Sequence, residues 1–97
     1  MCYNWAEGEN MKIEFTTKKF TENDGSITLA LGEIDIIENG VTEQDAKVKL
    51  AAAILEYAND FCKEYNYWSI AENRKAHIPY VLKTKNMTTD DIIKLIK

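Results

Sequence analysis

Few side chains in this sequence could carry chemistry. His77 is the only histidine, so a two-histidine metal site cannot be built and a Ser-His-Asp arrangement has only one possible base. Ser26 falls in turn-forming sequence and Ser69 follows Trp68, neither inside a nucleophile-elbow pattern. His77, two residues before Pro79, reads as a surface or capping residue at the start of a strand. No CxxC, GxGxxG or P-loop motif occurs, and no catalytic residue, metal or cofactor is expected. Cys2 and Cys62 are far apart, and the first ten residues hold Glu7 and Glu9 instead of an apolar leader. That pairing reads as free thiols in a reducing, cytoplasmic setting, with Cys62 on the apolar stripe of a helix.

What remains are groups suited to contact. Glu33, Asp35 and Glu38 lie close in sequence, and Glu33 and Asp35 share strand parity, so they project from one face. Such carboxylates form the solvated side of a sheet or steer a basic partner towards it. Tyr67 and Trp68 combine large area with a polar handle and fit either a core or an interface. Ile92, Ile93 and Ile96 on a short terminal helix need a surface to cover, whether their own sheet, a twin subunit or a partner. These eight residues are the expected partner-binding set.

The elements that must position them follow from periodicity. Residues 12–20 alternate, with Ile13, Phe15 and Thr17 on one face, until Phe20 breaks the parity. Asn23-Asp24-Gly25 supplies a hairpin turn. Ile27, Leu29 and Leu31 face inward on a second strand, and residues 34–37 form a third that ends at Asn39-Gly40. Thr42 is a good N-cap, with Glu43 and Asp45 at the positive end of the helix dipole. Ala46, Leu50, Ile54, Tyr57, Phe61 and Tyr65 then recur at helical steps, predicting a helix from 43 to about 66. Ile78, Tyr80 and Leu82 alternate as a fourth strand, placed at an edge by Pro79. Thr89 opens the short terminal helix. The expected fold class is α+β: a three- to four-stranded, mainly antiparallel sheet in the order β-β-β-α-β-α, with one long helix packed on one face. Residues 1–10 read as an extension and 11–97 as one domain.

Composition agrees. Ninety-seven residues, 45% of them hydrophobic, suit a single core. The net charge of −4, with basic residues only in scattered pairs, is not the footprint of a protein that grips phosphates. Direct nucleic-acid binding is not expected, and no segment is apolar enough to span a membrane.

One resemblance adds to this reading. The hairpin with its Asn-Asp-Gly turn, the third strand, and the lead-in Asn39-Gly40-Val41-Thr42-Glu43-Gln44-Asp45-Ala46 to a long helix are similar to HicB-like antitoxins. Gly40, Thr42 and Ala46 match that family's lead-in, and Asp45 stands where Glu is usual. The resemblance covers residues 11–65. It implies a partial RNase H-like fold without a working carboxylate set, and a non-catalytic protein that occludes a small basic toxin or ribonuclease. A phage-type inhibitor of a nucleic-acid-handling enzyme such as a CRISPR nuclease, its acidic surface filling a nucleic-acid groove, is the alternative. A homodimer through the sheet edge or terminal helix is compatible with both.

Overall fold

Alternation of apolar and polar residues builds the sheet. In the computed structural model, which describes residues 14–68 and 70–96, β1 (Thr17–Thr21), β2 (Ile27–Leu31) and β3 (Ile36–Gly40) pair antiparallel in the order β1-β2-β3. The 1–10 extension and the start of the first strand at Lys12 and Ile13 lie outside the described residues. Gly25 turns the β1–β2 hairpin at φ +87°, and the Asp24 carboxylate accepts bonds from the Ser26 amide (2.9 Å) and hydroxyl (2.6 Å). Leu29 lies opposite Lys19 and Glu38, and Ala30 opposite Lys18 and Ile37. The register therefore puts Ile27, Leu29 and Leu31 on the covered face, and Phe20, Ala30 and Ile37 on the other.

β3 starts two residues later than periodicity predicts. Residues 32–35 form the turn, with Ile34 buried and Asp35 at φ +57°. Two antiparallel strands need a reversal between them, and Asp tolerates the left-handed conformation better than the β-branched residues beside it.

The long helix α1 (Glu43–Lys63) begins where Thr42 accepts the Asp45 amide at 3.1 Å while Asp45 reaches back to the Val41 amide at 3.0 Å. This reciprocal cap satisfies two donors at once. Ala46, Leu50, Ala51, Ile54, Ala58 and Phe61 are its buried stripe, laid mainly over β3. Gly40 makes that approach possible, because its Cα faces the backbone of Asp45 and Ala46. The helix breaks at Glu64, and Tyr65–Trp68 forms a separate single turn, α2.

The fourth strand expected over 77–83 is helical. A 3-10 turn at Lys75–His77 runs into α3 (Ile78–Thr84). The alternation of Ile78, Tyr80 and Leu82 competes with His77, Val81 and Thr84, which recur at helical spacing and are all buried, whereas of the alternating set only Leu82 is. Pro79 falls in the first turn, where a missing amide donor is harmless. Among the described residues the sheet therefore has three strands, and no named strand follows α1.

The last helix, α4 (Thr89–Leu95), is capped by Thr88, which accepts the Asp91 amide at 3.2 Å. Beyond it Ile96 bridges Phe15 in parallel, and the Phe15 amide donates to Leu95 O at 3.1 Å. Phe15, Leu29, Leu31, Leu50, Ile54 and Ile92 dominate one core cluster; Ala58, Phe61, Val81 and Leu82 form a second under α3. Each fully buried large aliphatic side chain contributes about 1.5–3 kcal/mol. Cys62 is half-buried but is not a free thiol: it is disulfide-bonded, and Cys2 lies outside the described residues. No helix among the described residues is long and apolar enough to cross a membrane.

Candidate protein-binding surface

A polar cluster centres on His77, which is buried, with 4% of its surface exposed, and not at the surface as its sequence neighbours suggest. Its Nδ1 lies 2.6 Å from the Tyr57 hydroxyl, and Arg74 Nη1 donates to that hydroxyl oxygen at 3.2 Å. A Tyr57 hydroxyl that donates to Nδ1 while accepting from Arg74 corresponds to the tautomer with the ring proton on Nε2. Nε2 faces Asp35 Oδ2 at 3.7 Å. Burial first, and the Arg74 charge second, hold His77 below the ordinary histidine range, against the opposing pull of Asp35. The Arg74 guanidinium lies over the rings of Trp68 (5.3 Å) and Tyr57 (5.8 Å). The cluster ties the β2–β3 turn, α1 and α3 together. Nδ1 is engaged by the Tyr57 hydroxyl, whereas Nε2 and Asp35 Oδ2, at 3.7 Å, lie beyond hydrogen-bond distance.

The structure separates the three expected carboxylates. Glu33 is half-buried and accepts the Thr16 amide through both oxygens (3.1 and 3.3 Å), so it anchors the chain leading into β1. Asp35 stands exposed in the turn. Glu33 and Asp35 share a shallow hollow of about 600 Å³ with Lys18, Ala30 and Ile37, on the uncovered face. Glu38 belongs to the opposite face, where it lines a groove of about 460 Å³ between β3 and α1.

That groove is acidic. Glu38, Glu56 and Asp60 line it, with Ile36, Ala52 and Ala53 supplying its apolar part. Lys49 is also there, but its ammonium lies 3.5 Å from Asp45. Sequence reasoning misses Glu56 and Asp60 as site residues, because charged positions between the apolar ones of a helix read simply as its solvated side. Their i, i+4 spacing was a usable signal, whereas their meeting with Glu38 depends on how α1 lies on β3.

The aromatic pair divides. Trp68 is half-buried under Arg74, and Tyr67 is 64% exposed, edge-on to Trp68 with ring centroids 4.9 Å apart. Ile92 and Ile96 are core residues, and Ile93 packs half-buried beside them. The surface that α4 covers is this protein's own, so Ile92 and Ile96 are not available to a partner.

The result is an α+β fold with a capped long helix on a small sheet, an acidic groove and a buried histidine hydrogen-bonded to Tyr57. The comparisons give its family. Residues 6–97 match the PHD-like family, described as the antitoxin of RelE/RelB toxin–antitoxin systems. The chain belongs to that family. A crystal structure from Syntrophomonas wolfei subsp. wolfei, of an antitoxin part of a proposed toxin/antitoxin system, is similar to it with a TM-score of 0.77 and 30% identity. The alignment covers 96% of this chain and 66% of that one, so this chain spans just under two thirds of its relative's length. A search of curated proteins gave no match. The antitoxin class is the one implied by the resemblance, but the family is described for RelE/RelB systems and not as HicB-like. The Gly40–Thr42 lead-in is a weak guide to subtype, because close approach and capping are demands that many strand-to-helix junctions share.

Proposed function

We propose that this protein is a non-catalytic, antitoxin-like module that neutralises a toxin by binding it, and that the toxin presents a basic surface. Membership of an antitoxin family over residues 6–97 carries this reading. The net charge of −4 and the groove of Glu38, Glu56 and Asp60 support the basic partner, since opposite charge speeds and orients encounter. Neither comparison favours the inhibitor of a large nuclease.

Affinity purification of the tagged chain from its source cells, with mass spectrometry of what co-purifies, tests the proposal. A stoichiometric small basic protein supports it. A large nuclease would favour the inhibitor reading, and an empty capture at low salt would reject stable binding altogether.

A further inference from the structure

The two edges of the sheet are built differently. β1 carries Lys18 and Lys19, and charged lysines on an edge strand discourage further pairing. Lys19 also reaches over to Glu43 on α1 at 3.1 Å. β3, with the sequence IIENG, has no lysine, and among the described residues no strand pairs with its outer edge. The α1–β3 groove runs beside that edge.

Resting on the protein-binding reading, we infer that the outer edge of β3 accepts an extended segment of the partner as a fourth strand, basic residues alternating with apolar ones. Strand addition supplies backbone hydrogen bonds, and alternate side chains then meet the two faces of the sheet. On the α1 side they meet Glu38, Glu56 and Asp60. Ala52 and Ala53 are small enough to leave room there for the aliphatic stems of lysine or arginine. On the other side they meet Ile37, which is 66% exposed, so the intervening residues are apolar.

Charge decides against a second copy of this chain in the same place. Two β3 edges paired antiparallel would set Glu38, Glu56 and Asp60 against the same three carboxylates, and like charges across a strand pair are destabilising.

The test uses the full chain, labelled with ¹⁵N, and a synthetic heptapeptide alternating lysine with valine. The expected result is amide shift changes at Ile36–Gly40 and along residues 52–60, with Thr17–Thr21 unmoved. The same peptide with glutamate for lysine should not bind, and the variant E38Q/E56Q/D60N should bind the lysine peptide about tenfold more weakly. Glutamine and asparagine keep the side-chain shapes, and the amide spectrum of the variant itself reports whether it is folded. Ile37→Lys is a second variant that should weaken binding without touching the groove. Shifts centred on β1, or no binding by the lysine peptide, would overturn the strand-addition site. If the wild type still captures a protein from cells in that case, the binding reading survives and only its location is wrong.

Discussion

Gly40→Ala isolates the junction on which the fold turns. A methyl group at position 40 would fall on the Ala46 amide nitrogen and within 2.8 Å of Ala46 Cα and the Asp45 carbonyl carbon. These are backbone atoms of the first turn of α1, so no rotamer change relieves the contact. The helix must lift from β3 or the strand must bend. Overpacking of this kind costs about 1–3 kcal/mol. Displacing the Thr42–Asp45 cap, itself worth about 1 kcal/mol, pushes the value to the upper end, about 3 kcal/mol. For a domain of this size that lowers Tm by roughly 12–24 °C. Gly32→Ala is the internal control, since a Cβ there meets nothing within 4 Å and its φ is not in the left-handed region. Urea melts followed by circular dichroism should show the midpoint of Gly40→Ala falling while Gly32→Ala stays within about 0.5 kcal/mol of wild type. Equal stability of Gly40→Ala and wild type would refute the close approach of strand and helix.

Other perturbations read different parts of the structure. Ile54→Ala removes a fully buried side chain between α1 and the sheet and should cost about 2–5 kcal/mol in the same melt. Thr42→Ala should cost about 0.5–2 kcal/mol, read as a lower denaturation midpoint. Tyr57→Phe strips Arg74 of its acceptor and His77 Nδ1 of its hydrogen-bond partner, for a loss of about 1–3 kcal/mol, whereas Tyr65→Phe should cost less. His77 titrates below the ordinary histidine range when folded, so between that lowered value and about 6.5 the unfolded chain binds more protons. Stability from this group is therefore complete above about pH 6.5 and declines as pH falls towards the folded value; in His77→Phe that histidine-linked slope should vanish from melts run across the interval.

Much of the fold follows from local sequence. The inward set Ile27, Leu29 and Leu31, the Asp24-Gly25 turn, the Thr42 cap and the α1 stripe are where periodicity and capping put them, because one chemical demand acts at each. The region 77–84 misleads because two periods coexist there, and the helical one buries His77, Val81 and Thr84 together, with Val81 packed on Ala58 and Phe61 of α1. Glu33 and Asp35 look like one strand face, but the reversal into β3 consumes them as turn residues and parts them from Glu38. His77 looks exposed because its partners, Tyr57 and Asp35, are far away in sequence and only the packing of α3 on α1 brings them together. The groove was hidden for the same reason: Glu56 and Asp60 share a helix face, but Glu38 joins them only through tertiary packing.

The neutralisation assay tests the antitoxin reading most directly. The small basic protein captured by this chain would be expressed in a bacterial host under one inducer, with the chain under another, and growth followed. Growth arrest by the captured protein alone, relieved when the chain is co-expressed, is the predicted result. A captured protein that leaves growth unaffected, or an arrest that the bound chain fails to relieve, would contradict it.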